Sequence, residues 1–312
     1  MQVNKMLKKT LTGVLAGVLL ACAFCGVKNA IAYQFPGKSS GMQAAIKEKH
    51  IENLFLGSSL FRQGIDIVTL EDELQGNSFV ISYNGNQPVQ MLEEFKMLLR
   101  HDLEVSNVYI DLYVYSSALR PAISDTRLVW DMDMTGKNAL FSDMVNYSEA
   151  GFPEFFDFYI SSNNEYMIFY PVFQMAMKGE FYKGGNIRNT IGSSKEVLDA
   201  LETPGAREGI HPVQRQAIEQ IIDLCREEGI RLSFVEIPKY YTLEQAEYYV
   251  RLKEELEECI GTTTYYKASD VEFDNENPVY YQDLFHLSGE GRRTYTGKLI
   301  ETIQQKEAVN EQ

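Results

Sequence analysis

Cysteine, histidine and basic residues are all scarce in this chain, and each scarcity removes a class of protein. Of the four cysteines in 312 residues, Cys22 and Cys25 fall in an apolar leader, leaving Cys225 and Cys259, each on an expected helix. That excludes a disulfide framework. The remaining two read either as half-buried helical thiols, the ordinary use of cysteine on a helix face, or as partners in a single bridge. The histidines are His50, His101, His211 and His286. No histidine-cysteine cluster has metal-ligand spacing, so neither a metal nor a cofactor is expected. His211 precedes Pro212 at a helix start and, like His50 and His101, is read as non-catalytic. Lysine and arginine total 29 against 44 acidic residues, a formal charge of −15. Such a surface repels nucleic acid, because phosphate binding needs clustered cations. Internal repeats and long low-complexity tracts are also lacking.

The one long apolar run lies at the N-terminus. Lys5, Lys8 and Lys9 precede an uncharged stretch from Leu11 to Val27, and Ala30-Ile31-Ala32 supplies a small-x-small step before Tyr33. This is the order of a secretory signal. The 17-residue run is marginal for a membrane span, which takes about 20 apolar residues. Three dispositions fit residues 1–32: a cleaved signal, a retained membrane anchor, or lipidation at Cys22 after Leu20-Ala21. All three place the body, residues 33–312, outside the cytoplasm, either secreted or anchored. Without the four lysines of the leader that body carries 25 basic and 44 acidic residues, a formal −19.

Beyond the leader, apolar strand-like runs alternate with amphipathic stretches. Strands are expected at 52–57, 78–83, 107–114, 230–237 and 263–268, and helices at 66–75, 87–101, 212–228, 243–259 and 289–305. Met91, Phe95, Leu98 and Leu99 share one face at helical spacing. This alternation predicts an α/β three-layer sandwich around a central parallel sheet. Ligands in such folds sit beyond the carboxyl ends of the strands. Residues 116–205 interrupt the pattern with an aromatic-rich insertion containing Phe152, Phe155, Phe156, Tyr159, Tyr166 and Tyr170 among others. Its rings serve either as the insertion's own core or as a platform over the site.

Two short segments far apart in sequence carry the chemistry. The strand-like Asn53-Leu54-Phe55-Leu56 breaks into Gly57-Ser58-Ser59, and Asp283-Leu284-Phe285-His286 lies in a polar loop before the last helix. Either alone is commonplace, a turn or a helix cap. Together they supply a nucleophile, a base and an orienting acid. A serine hydroxyl is a weak nucleophile until a base takes its proton, and an imidazole must be held in one tautomer by an acceptor on its other nitrogen. A single Asp-x-x-His turn carries both of those groups.

This combination resembles the SGNH/GDSL hydrolase superfamily, with its flavodoxin-like fold, its first block of a strand followed by Gly-Asp-Ser or Gly-Ser-Ser, and its last block Asp-x-x-His. The resemblance implies Ser59 as nucleophile, Asp283 as acid and His286 as base. Ser82-Tyr83-Asn84-Gly85-Asn86 looks like the second block, which implies that the Gly85 amide, with that of Ser59, receives the oxyanion. Where the third block should read Gly-x-Asn-Asp, this chain has Tyr113-Val114-Tyr115-Ser116-Ser117. The third-block asparagine is missing. Asn84, Asn86 and Tyr115 are candidates to replace it. Departures of this kind resemble a divergent extracytoplasmic branch that handles acyl groups on envelope polymers, such as the D-alanyl transfer protein of teichoic acid synthesis and the alginate acetylation proteins. The implied function is a serine-dependent esterase or O-acyltransferase acting on an acylated polysaccharide or another ester, alongside a multispanning membrane acyltransferase as partner. The competing expectation is a catalytically weak relative that keeps the fold as a binding or assembly partner.

Overall fold

The computed structural model describes residues 10–13, 15–17, 19–20, 23, 41–112, 114–147, 183–185, 189–203 and 209–310. In chain order the elements are α1 (Met42–Glu48), β1 (His50–Gly57), α2 (Ser59–Gly64), α3 (Ile67–Glu73), β2 (Ser78–Ser82), α4 (Pro88–Arg100), β3 (Glu104–Asp111), α5 (Val114–Ser117), α6 (Thr126–Asp131) and α7 (Met134–Tyr147). They continue as α8 (Lys195–Asp199), α9 (Pro212–Glu227), β4 (Arg231–Val235), α10 (Tyr241–Glu244), α11 (Glu247–Ile260), β5 (Thr264–Tyr266) and α12 (Gly289–Asn310).

The strands form one parallel sheet in the order β2-β1-β3-β4-β5. Residues such as Leu54, Phe55, Leu56, Phe79, Val80 and Ile81 are all fully buried. Consecutive burial means both faces are covered, which a parallel sheet requires because its crossovers lay helices on each side. α4 packs against α9 and α7, while α12 packs against α2 and α3. The result is the expected α/β architecture, a central five-stranded parallel sheet flanked by helices. A buried ion pair fastens one flank: Arg292 on α12 lies 3.3 Å from Asp66, whose other oxygen caps α3 through Thr69.

Several boundaries differ from expectation. β3 runs three residues earlier than 107–114, because Glu104, Val105 and Asn107 pair with β1 at the sheet's amino-terminal edge although exposed or only partly buried there. Tyr115 therefore lies past the strand, in α5. The helix expected over 243–259 breaks at Gln245-Ala246, so that Leu243 and the row Tyr249, Leu252, Leu256 and Ile260 can each reach the core. The last helix continues past residue 305 because Ile303 is buried and Lys306 reaches the Tyr265 carbonyl at 3.1 Å.

Of the expected insertion, the structure describes α6, α7, α8 and short connections. The aromatic cluster between Phe152 and Tyr182 lies outside the described residues, as does most of the leader. The chain returns at Lys183, where Gly184 bridges to Val80 on the outer edge of β2. No helix among the described residues is long and apolar enough to cross a membrane. Cys225 and Cys259 are free thiols, one buried and one half-buried. Burial pushes the Cys225 thiol up to about 12.

Candidate active site

β1 and β2 are neighbours with Gly57 opposite Ser82, so the turns that follow them meet at the carboxyl edge of the sheet. The first turn is compact because Gly57 has no side chain: a Cβ there would stand 2.6 Å from Asp111 Cβ and 2.7 Å from the Phe61 ring. Ser58 then caps α2, its hydroxyl accepting from the Leu60 amide at 3.1 Å. Asp111, at the end of β3, accepts from the Ser58 amide at 3.0 Å and takes a short hydrogen bond from the Ser58 hydroxyl. Burial pushes the Asp111 carboxyl up, while the Ser58 hydroxyl and the nearby Lys239 ammonium oppose that shift. Ser58 is thus spoken for, and the next residue, Ser59, is the one presented outward at the first turn of α2.

Ser59 Oγ lies 2.9 Å from His286 Nε2, although 227 residues separate them in sequence. His286 Nδ1 lies 2.9 Å from Asp283 Oδ2 and 3.1 Å from Oδ1. The carboxylate therefore accepts a hydrogen bond from Nδ1–H, which leaves the Nε2 lone pair facing the serine hydroxyl. Asp283 Oδ1 also accepts from the amides of Phe285 at 2.7 Å and His286 at 2.8 Å. Burial raises the Asp283 carboxyl, but the imidazole and the two amides outweigh it and hold the group below the ordinary carboxylate range. The Asp-x-x-His spacing follows from this geometry, since one carboxylate closes a three-residue turn and orients the imidazole at its end.

The loop bearing Asp283 and His286 is tied down from several sides. Tyr281 bridges to Leu287 across its base, and the Gln282 amide donates to the His286 carbonyl at 2.9 Å. The Tyr240 amide donates to the Leu284 carbonyl at 3.1 Å. Ser193 donates its amide to the Tyr281 carbonyl at 2.7 Å and its hydroxyl to the Gln282 carbonyl at 2.8 Å. Segment 189–194, near the end of the expected insertion, is therefore a strap along the acid-base loop.

The second turn carries Gly85 at φ +62°, a left-handed conformation that a side chain would strain. A Cβ there would also meet Ser124 at 2.9 Å. The amides of Ser59 and Gly85 have no protein acceptor among the described residues, so both remain available to a developing negative charge. The replacement candidates separate clearly. Asn86 is fully buried and donates to the Gly57 carbonyl at 3.1 Å and to Glu94 at 2.9 Å, so its side chain ties the two turns together rather than facing the site. Asn84 has an exposed side chain and an amide held by Asp125 at 2.8 Å. The Tyr115 side chain lies outside the described residues. Burial raises the Glu94 carboxyl well above its ordinary range.

His211 caps α9 through the Val213 amide, at 3.4 Å, and His50 and His101 lie apart, each beside an exposed or partly exposed carboxylate. No group of three or more His, Cys, Asp or Glu side chains among the described residues is placed to hold a metal ion. The residues that sequence reasoning missed are Asp111, Glu94, Ser124 and Ser193. Only Asp111 left a signal, as a lone acid ending the apolar run Val108-Tyr109-Ile110.

No family model matches the chain, and neither does any curated protein. Among solved structures, a GDSL-like lipase from Bacteroides thetaiotaomicron VPI-5482 aligns at 11% identity over 83% of this chain and 90% of its own, with a TM-score of 0.37. A Streptococcus pneumonia protein described as a platelet activating factor aligns at 10% identity over 92% of this chain and 98% of its own, with a TM-score of 0.39. Superpositions this loose decide neither family nor activity. The fold stands on the sheet order and helix layers above, and the chemistry on the distances.

Proposed function

We propose that this chain is a serine-dependent ester hydrolase or O-acyltransferase, with residues 33–312 forming one catalytic domain interrupted at about 116–205. The observation that carries the reading is the continuous chain of contacts from Ser59 Oγ through both nitrogens of His286 to Asp283. In the reaction, Ser59 Oγ bonds to the ester carbonyl carbon as His286 Nε2 takes the hydroxyl proton. The carbonyl oxygen becomes an oxyanion received by the Ser59 and Gly85 amides, and Asp283 stabilises the imidazolium. Collapse breaks the ester C–O bond, and Nε2 returns the proton to the leaving alcohol. Water or a sugar hydroxyl then attacks the acyl carbon as Nε2 takes its proton, and the acyl–Oγ bond breaks as Nε2 returns that proton to Ser59.

The lysine-then-apolar leader and the acidic body support an extracytoplasmic location, secreted or held by the N-terminal segment. An acylated envelope glycan is the substrate class this reading favours, with a multispanning membrane acyltransferase as donor partner when the reaction runs as a transfer. Hydrolysis of p-nitrophenyl acetate tests the chemistry. Ser59→Ala should lose activity by several orders of magnitude while remaining folded, whereas Ser58→Ala should retain turnover at lower stability, since it strips a buried partner from Asp111 at a cost of about 1–3 kcal/mol. A dead Ser58→Ala beside an active Ser59→Ala would make Ser58 the nucleophile and overturn the assignment. The acyl content of the cell-wall polymer, compared in cells with and without the gene, tests the substrate class.

A further inference from the structure

At the amino-terminal end of the sheet, opposite the triad, a cleft of about 590 Å³ opens between the starts of β1, β3 and β4 and the end of α12. Its volume lies within the range of small-molecule sites. We propose that this cleft is a second binding site, for a neutral, hydroxyl-rich ligand of the sugar or polyol class.

The floor holds the decisive observation. Tyr109 is only 3% exposed, and its ring is fixed by stacking on Phe55 with centroids 4.4 Å apart. Its hydroxyl has no protein partner among the described residues, and Tyr109 is one of the residues that line the cleft. A phenol so deeply buried ordinarily finds a hydrogen-bond partner, and here the open side is the cleft. Beside it, Asn53 is 2% exposed, donating to the Gln75 carbonyl at 2.8 Å and accepting from Asn107 at 3.0 Å. That bond orients the Asn107 amide and leaves its carbonyl oxygen unused.

The chemistry of the lining selects the ligand. Arg231 stands 3.7 Å from Glu307, and Glu52 accepts from the Asn77 amide at 2.6 Å, so the cation is paired with an acid and the three charged groups sum to one negative charge. An anion is therefore disfavoured. Asn107, Gln75 and Gln304 are amides and Tyr109 is a phenol, groups that both donate and accept, as the hydroxyls of a sugar do. The site lies at the other end of β1 from Ser59, so its occupant is not the reacting ester, and the inference does not rest on the esterase reading.

Saturation-transfer NMR and calorimetry on the full chain, with cellobiose, N-acetylglucosamine and glycerol as probes and inorganic phosphate as the anionic control, test this. At least one hydroxyl-rich probe should bind, and binding should persist in Ser59→Ala. It should weaken about tenfold in Tyr109→Phe, the equivalent of one lost hydrogen bond, and disappear in Ala308→Trp, which fills the cleft from the exposed face of α12. p-Nitrophenyl acetate turnover should be the same in Tyr109→Phe as in wild type. No binding of any of the three probes, binding that survives both cleft variants, or preferential binding of phosphate would each overturn the proposal.

Discussion

At the scale of single residues, each of the three groups in the triad owes its orientation to a different neighbour. Ser59 points outward because its neighbour Ser58 is consumed by Asp111 and by the cap of α2. His286 is fixed by Asp283, and Asp283 by the backbone of its own turn. Asp283→Asn should therefore lower kcat by up to about 10⁴ while still exceeding His286→Ala, because the wrong tautomer is costly but losing the base is worse. Equal rates for Asp283→Asn and wild type would remove the orienting role. Asp283 has a lowered pKa in the fold, so its stabilisation is present above the ordinary carboxylate range and lost as the pH falls through the folded value. Glu94 has the opposite sign. Its carboxyl is raised by burial, so above roughly pH 4.3, the ordinary glutamate value, the unfolded chain releases a proton that the folded chain keeps. Stability should fall as the pH rises through that window, and Glu94→Gln should flatten the slope in urea titrations at pH 4 and pH 7. An unchanged slope would show that Glu94 is ionised in the fold.

Among the elements, the turns after β1 and β2 are the parts on which the site depends, and each is built around a glycine that nothing larger can replace. Gly57 lets Asp111 and Phe61 close on the nucleophile turn, while Gly85 supplies both a left-handed residue and room for Ser124. Gly85→Ala should cost about 1–2 kcal/mol for the left-handed conformation alone and should reduce kcat more than it changes KM, since the amide acts on the oxyanion rather than on the bound ester. A rise in KM at constant kcat would place Gly85 in substrate binding instead. Most of these elements were legible in the sequence, because strands buried on both faces read as unbroken apolar runs and α4 shows its buried face at helical spacing. β3 was less legible: its amino-terminal half is polar and only partly buried, so periodicity located it three residues late and put Tyr115 at its end.

For the whole molecule, the parallel sheet brings together groups that the sequence separates by more than two hundred residues. That Ser59, His286 and Asp283 come together was legible because the two segments carry compact local signatures, a Gly-Ser-Ser turn and an Asp-x-x-His turn. The support around them was not. Asp111, Glu94 and Ser193 reach the site through tertiary contacts that leave no periodic trace, and the role of Asn86 as a buried tie between two turns became visible only once Gly57 and Glu94 were placed beside it. Sheet geometry also separates the two ends of the molecule, with the triad at the carboxyl edge and the amide-lined cleft at the amino edge, so the two can be tested independently. The central claim is that Ser59 is an activated nucleophile, and the most direct measurement is labelling of the intact protein with a fluorophosphonate probe followed by peptide mapping. The label should map to Ser59 alone, with labelling lost in both Ser59→Ala and His286→Ala. An unlabelled wild type, or a label on Ser58 that persists in Ser59→Ala, would contradict it.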